Sequence, residues 1–337
     1  MMANRSSKTP LALLTGGNGF LGSRIARRLT SLGWRVNAIV RRKGLARDLR
    51  LPLVEEIEGD FVSRYVTSPA ATGCDVVIHC AAGAGPDLEP VRRLNVEGTR
   101  TMVDVALAAR VKRYVHISTI AVYDIAGAPL VTEETPLKTQ GEPYGLTKAE
   151  ADRVVFEAID RGLPATILRP GAILGVHPTS TWAVKMPIAV RDRELKLTDD
   201  GGDSWPFVHV EDLVDAVLLA IESEKAVGRA YNMVDSHRTS REYTDEIRGW
   251  FGTRPLASTP RDQLPPNAYW TGRIDAARIR TELGYAPKRT YEEGMAEAEA
   301  YWRSREAMPV FLSVAKRIAR FASRAGRSFR RGNGTSR

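Results

Sequence analysis

Through the first half of the chain, short β-branched and apolar runs alternate with longer stretches whose apolar residues recur at helical spacing. Residues 11–15, 35–40, 76–80, 114–118 and 165–168 are expected to be strands. Residues 22–32, 92–109 and 144–161 between them are expected to be helices. This succession is the rhythm of parallel βαβ units, so the fold class is α/β with a doubly wound parallel sheet. After Pro170 the rhythm breaks: Pro178, Pro187, Pro206 and the turn cluster from Asp199 to Asp203 punctuate a more irregular region. Residues 207–210 and 231–234 are expected as further strands, and 211–221, 240–251 and 275–283 as further helices. No internal repeat is found.

The segment LALLTGGNGFLG, from Leu11 to Gly22, sets Gly16, Gly19 and Gly22 three apart, directly between a strand and a helix. Gly16 permits the tight turn, Gly19 lets backbone approach a pyrophosphate, and Gly22 lets the helix pack on the strand. The helix N-terminus then offers its free N–H groups to phosphates. Residues 1–170 therefore read as an NAD(P)-binding domain of Rossmann type, to which the chain returns at about 206–234. The remainder of 171–302 is expected to form a smaller mixed α/β substrate lobe. The second strand ends Val40-Arg41-Arg42, with Arg41 placed where an adenosine ribose is read. An acid there accepts from a 2′-hydroxyl, whereas arginine suits a 2′-phosphate. NADP(H) is favoured and NAD(H) stays open; the alternative is that both arginines simply end a solvated strand. Asp60, after Glu58-Gly59, is placed to accept from an adenine amino group, or is an exposed loop acid.

Tyr144 and Lys148 form a Tyr-x-x-x-Lys pair, which a helix brings to one face. An ammonium beside a phenol is expected to lower its pKa from about 10, so that the phenol can exchange a proton near neutrality. Upstream, the strand Tyr114 to Ser118 runs into Thr119-Ile120-Ala121-Val122-Tyr123 and presents hydroxyls at its carboxyl end, the end of a parallel sheet where ligands bind.

In order, the glycine turn, Asp60-Phe61, His79-Cys80-Ala81-Ala82, Asn95-Val96-Glu97-Gly98-Thr99, Ser118-Thr119 with Val122-Tyr123, Tyr144 to Lys148, and Leu168-Arg169-Pro170-Gly171 resemble the extended short-chain dehydrogenase/reductases. Phe207 to Leu213 and Leu283 to Pro287 are similar to its NAD(P)-dependent epimerase/dehydratase branch, and the likeness runs from about Leu11 to Trp302. The resemblance implies a catalytic Thr119 that hydrogen-bonds the reacting oxygen, Tyr144 as general acid/base, and Lys148 holding the nicotinamide ribose. It further implies that Gly16, Gly19, Phe20 and Leu21 cradle the pyrophosphate and that Asp60 and Phe61 border adenine; Gly22 and Arg41 join them as cofactor-binding candidates from the glycine turn and the strand end. Ala81, Ala82 and Asn95 would line the cofactor channel. A homodimer is the family expectation.

Departures narrow the reaction. Nucleotide-sugar 4,6-dehydratases of the family carry Asp-Glu directly after the catalytic Thr, where this chain has Ile120-Ala121; a 4,6-dehydratase is not expected. The stretch before Asp275 lacks the Arg-Pro-Gly-Asp that many sugar-nucleotide epimerases use against diphosphate, although Arg273 is a possible substitute. The expected function is that of an NAD(P)-dependent oxidoreductase or epimerase, with hydride transfer at a secondary alcohol or ketone of a sugar or nucleotide-sugar. One alternative is a hydroxysteroid-dehydrogenase or flavonol-reductase type enzyme acting on an apolar ring alcohol. Trp182, Met186, Trp205, Tyr269 and Trp270 suit such a ring, or simply pack the smaller lobe. The other alternative is a non-catalytic NADP-binding scaffold. His79, His116 and His209 lie in expected strands without metal-ligand spacing, so no metal is proposed.

Charge changes the picture only at one end. The chain of 337 residues has 49 Lys+Arg and 40 Asp+Glu, but residues 303–337 hold ten of those bases against Glu306 alone, leaving 39 of each sign in residues 1–302. A neutral body excludes a nucleic-acid partner bound across the folded face. In residues 308–331, Val310, Val314, Ile318, Phe321 and Ala325 step by four, four, three and four among arginines. This is a basic amphipathic pattern suited to an anionic membrane surface, or a docked or solvated extension. Cys74 and Cys80 flank one strand with no secretory leader, so the expected location is cytoplasmic, with peripheral contact at the inner face of a membrane.

Overall fold

Strands buried on both faces carry continuous apolar runs rather than alternating ones, and such strands form the middle of this molecule. In the computed structural model, which describes residues 9–125, 127–263 and 269–306, seven strands form one parallel sheet. They are β1 (Leu11–Thr15), β2 (Arg35–Val40), β3 (Val54–Glu58), β4 (Val76–His79), β5 (Arg113–Ile117), β6 (Ala165–Pro170) and β7 (Arg229–Met233). Their spatial order is β7-β6-β5-β4-β1-β2-β3, with Leu14 opposite both Ala38 of β2 and Ile78 of β4. The order reverses between β1 and β4, which opens a crevice at their carboxyl ends.

The helices are α1 (Phe20–Ser31), α2 (Arg64–Ala71), α3 (Leu88–Arg92), α4 (Gly98–Ala109), α5 (Pro143–Asp160), α6 (Met186–Arg191), α7 (Val210–Glu222), α8 (Ser240–Phe251), α9 (Ala277–Leu283) and α10 (Tyr291–Glu306). Alternate β1 residues feed two cores, as the pleat requires. Ala12 and Leu14 meet Ile25 and Leu29 of α1 and Leu213 and Val217 of α7. Leu11 and Leu13 face Met102 and Ala106 of α4 and Val154 and Val155 of α5. Between α3 and α4 the helix does not stop; residues Arg93–Glu97 widen into a π-turn.

Beyond Pro170 the chain builds a smaller lobe. Ala172–Leu174 pairs in parallel with Ser204–His209, which pairs antiparallel with Ser236–Thr239. Phe207, Tyr243, Ile247 and Met295 form the core of this lobe, with Trp182 and Trp205 packed against them. The strand expected at 207–210 therefore belongs to this smaller sheet; the return to the central sheet is made by α7 and β7.

Strand β3 was not anticipated. Its sequence, Val-Glu-Glu-Ile-Glu, lacks the apolar continuity of the inner strands because it is an edge strand whose residues are half-buried or exposed. The amphipathic segment expected at 308–331 lies outside the described residues. Among the described residues no helix is long and apolar enough to cross a membrane.

Candidate active site

The glycine turn after β1 is dictated by space. Gly16 has φ +70°, and a Cβ there would sit 2.8 Å from the Ala81 nitrogen. Gly22, in the first turn of α1, lies directly over the glycine turn, where a Cβ would fall inside the Gly16 carbonyl and 2.9 Å from the Gly17 Cα. Gly19 donates its N–H to the Gly16 carbonyl at 2.9 Å and caps α1 without a side chain, so the first-turn N–H groups keep no side-chain acceptor. Leu21 is buried beneath the turn, while Phe20 stacks on His177 with ring centroids 5.7 Å apart. His177 also reaches Asp48 at 3.3 Å, tying the loop after β2 to the loop before α6. Sequence reasoning missed this link, because nothing in the spacing of two residues 129 positions apart indicates it.

At the carboxyl end of β2, Arg41, Arg42 and Lys43 are all exposed. The acids that approach them from β3, Glu58 and Glu56, accept the backbone N–H groups of Lys43 (2.9 Å) and Gly44 (2.8 Å). Asp60 accepts from Arg93 at 2.6 Å and from the Val62 N–H at 3.0 Å. Its partial burial works to raise its pKa, but those hydrogen bonds and the Arg93 charge outweigh it and hold the carboxyl below its usual range. Phe61 packs against Gly98 and tilts toward His79, so its ring serves packing.

Ala81 is half-buried and Ala82 exposed, with the Ala81 N–H donating to Thr15 Oγ1 at 3.2 Å. Asn95 sits in the π-turn and is buried with its amide fully engaged: Oδ1 accepts the Gly83 N–H at 2.7 Å, and Nδ2 donates to the Gly83 carbonyl and to Thr147 Oγ1. It clamps the channel loop to α5 rather than presenting a free amide to it.

The catalytic candidates come from two elements. Thr119 follows β5 in extended conformation and accepts the Ala121 N–H at 3.2 Å, which starts a single tight turn at Ile120–Val122. Helix α5 begins at Pro143, capped by the Glu142 carboxylate on the Gly145 N–H, so Tyr144 lies in its first turn and Lys148 one turn later. Burial raises the Tyr144 phenol above its ordinary value, and its hydrogen bond with Thr119 acts against this. Here the structure corrects an expectation: the phenol is raised, not lowered, and no contribution comes from Lys148. Its ammonium donates to the Ile117 carbonyl at 2.9 Å and lies 3.2 Å from His116 Nε2. Burial pulls Lys148 down to about 8, with Asp152 and then Cys80 opposing.

The three strand histidines have local partners. His79 is held between Thr15 (2.7 Å) and Thr99 (3.2 Å), and burial depresses it to about 3. The His209 Nδ1 caps α7 through the Glu211 N–H. His116 is wholly buried beside Lys148. Cys80, beside them, is pushed by burial up to about 12. Arg169 and Asp152, both buried and joined at 2.9 Å, lie behind this group. The signal for Asp152 was present in its position four residues after Lys148, on the same helix face.

Residues 12–233 match the model of the NAD dependent epimerase/dehydratase family. A 4-hydroxy-2-methyl-3-oxo-4-farnesyl-3,4-dihydroquinoline-1-oxide ketoreductase of Stigmatella aurantiaca is 30% identical, over 84% of this chain and 93% of its own. A UDP-glucose 4-epimerase of Vibrio cholerae is 27% identical, over 86% and 94%. Among solved structures, DesIV, the dTDP-glucose 4,6-dehydratase of Streptomyces venezuelae with NAD and TYD bound, is 25% identical with a TM-score of 0.75, covering 87% of this chain and 97% of its own.

Proposed function

The chain belongs to the NAD dependent epimerase/dehydratase family, and from that premise we propose that it transfers hydride at a secondary alcohol or ketone with Tyr144 as acid/base. One observation carries the reading. Thr119, Tyr144 and Lys148 converge at the carboxyl end of β5, and Cys80-Ala81 links that point to the Gly16 turn.

The turn fits a nicotinamide dinucleotide: backbone spacing at Gly16 and Gly22 leaves no room for a Cβ, and the uncapped start of α1 suits a pyrophosphate. The nicotinamide supplies the hydride; the protein supplies orientation and proton control. Thr119 Oγ hydrogen-bonds the reacting oxygen, and Tyr144 delivers a proton to it as the phenol in reduction or removes one as the phenolate in oxidation. Lys148, its ammonium held at the end of β5 by the Ile117 carbonyl, would hold the nicotinamide ribose. NADP(H) is the preferred form on this reading, because Arg41, Arg42 and Lys43 end β2 with no acid among them, while Glu56 and Glu58 are engaged by backbone N–H groups.

For the substrate, the similarity to a UDP-glucose 4-epimerase supports a sugar or nucleotide-sugar. A second reading, an apolar ring ketone, is favoured by Ile120 and Ala121 directly after Thr119 and by the similarity to a ketoreductase. The aromatic cluster does not bear on this choice, since Trp182, Trp205, Phe207 and Tyr243 pack on one another inside the smaller lobe. Ile120-Ala121 also weighs against 4,6-dehydration. Tyr144→Phe is expected to abolish turnover while leaving dinucleotide affinity within about twofold of the parent. Full activity in that variant would refute the acid/base role. Turnover of nucleotide-sugars but not of sterol-like or quinoline-type ketones, or the reverse, decides the substrate class.

A further inference from the structure

The buried groups behind Lys148 form a directed arrangement. Lys148 is 2% exposed, and a buried ammonium is costly unless its N–H groups and its charge are matched. Two of its three N–H directions are accounted for by the Ile117 carbonyl at 2.9 Å and His116 Nε2 at 3.2 Å. Next in line is Asp152, fully buried, whose Oδ1 lies 3.7 Å from the same His116 nitrogen. Arg169 reaches Asp152 only through Nε, on Oδ2, at 2.9 Å. Oδ1 therefore has no hydrogen-bond partner and faces His116 instead of closing a two-pronged bridge. Arg–carboxylate pairs are frequently two-pronged, and this one is not.

We propose that His116 and Asp152 are positioning residues for Lys148: the imidazole fixes the ammonium at the end of β5, and the carboxylate behind it is the counter-charge that keeps the lysine protonated. The other titratable or charged groups facing this cluster are His79 on β4, Cys80 just after it, Tyr114 on β5, Tyr144 on α5, Arg169 on β6, and Tyr123 beyond Arg169. His79 is held neutral and Cys80, Tyr114 and Tyr123 are held protonated by burial. Asp152 is thus the carboxylate of this set that acts on the Lys148 charge. Removing it leaves Arg169 to repel Lys148, so the sign is fixed: the proton affinity of Lys148 falls.

The test reads that affinity directly. In protein labelled with ¹³C at lysine Cε, the Lys148 resonance is identified by its loss in Lys148→Met, and its titration is followed in parent, Asp152→Asn, His116→Leu and His116→Gln. Asp152→Asn and His116→Leu are each expected to lower the midpoint by about one pH unit, a tenfold loss of proton affinity, while His116→Gln, which retains an acceptor, recovers most of it. In turnover, the basic limb of the kcat profile moves to lower pH with KM little changed. A folded Asp152→Asn protein with Lys148 titrating within about 0.3 pH unit of the parent overturns the proposal. If that variant fails to fold because Arg169 is left unpaired, an unshifted His116→Leu protein overturns it alone. The inference rests on the proposed role of Lys148, and the two are separable. A shifted resonance without turnover of any alcohol or ketone refutes the function, and an unshifted one in an active enzyme refutes the positioning.

Discussion

Replacing Gly22 by alanine turns the geometry of the glycine turn into a measurement. Gly22 is an ordinary helical position, and at an unconstrained site of that kind Gly→Ala stabilises a helix by about 0.5–1 kcal/mol. Gly249, in α8, is such a site, because a Cβ there meets nothing within 4 Å. At Gly22 the new Cβ would enter the Gly16 carbonyl and stand 2.8 Å from its carbon and 2.9 Å from the Gly17 Cα. Those neighbours are backbone of a tight turn and cannot rotate away, so α1 must move out by about half an ångström or more. Overpacking of this kind costs about 1–3 kcal/mol, which exceeds the helix-propensity gain and reverses the sign. The same shift carries the α1 N-terminus away from its phosphates, and a tenfold loss of dinucleotide affinity corresponds to about 1.4 kcal/mol. Gly19→Ala separates the two effects, since its Cβ would lie 3.2 Å from the Gly16 oxygen alone and open toward the ligand side. It should lose affinity with little loss of stability. Chemical denaturation and dinucleotide titration of the three variants decide the matter. A Gly22→Ala protein as stable as the parent, with unchanged affinity, would show that α1 is not wedged on the turn and would remove the packing argument.

Two further outcomes are expected. Exchanging Arg41 for Glu should shift the ratio of kcat/KM for the 2′-phosphorylated and unphosphorylated dinucleotides by at least about tenfold toward the latter, and an unchanged ratio would assign the strand-end cations to solvent. His79 is neutral in the fold, depressed to about 3 by burial and then by Lys148, but its unfolded-state value is near 6.5. Between those values the unfolded chain binds the extra proton. The contribution of His79 is therefore complete above pH 6.5 and is lost as pH falls toward 3, at up to about 1.4 kcal/mol per unit. His79→Asn should flatten that part of the stability profile in denaturant titrations, and an unaltered slope would argue that the imidazole is already charged in the fold.

What was legible in the sequence tracks how local the cause is. The inner strands, the glycine turn and the Tyr144–Lys148 pair announce themselves because a buried strand must be apolar and one helical turn must bring residues four apart together. Strand β3 did not, since at a sheet edge polar residues such as Glu55 and Glu58 cost nothing. Thr119 could be placed by its position after a strand, but not the orientation of Lys148, which depends on His116, Ile117 and Asp152 gathering from β5 and α5. Asn95 was seen as a channel residue; only the tertiary structure brings Gly83 and Thr147 to its amide.

The π-turn at Arg93–Glu97 bears on how this chain tolerates insertion and deletion. One extra residue within a helical turn advances the register of everything after it by about 100°, so the apolar stripe of α4 and the inward face at Asn95 are out of phase by design. Deleting a single residue here would restore a regular helix and satisfy its backbone better. It would also rotate Asn95 away from Gly83, or else carry Met102 and Ala106 out of the core. A segment that is locally suboptimal is thus one where chain length, and not merely side-chain identity, is under constraint.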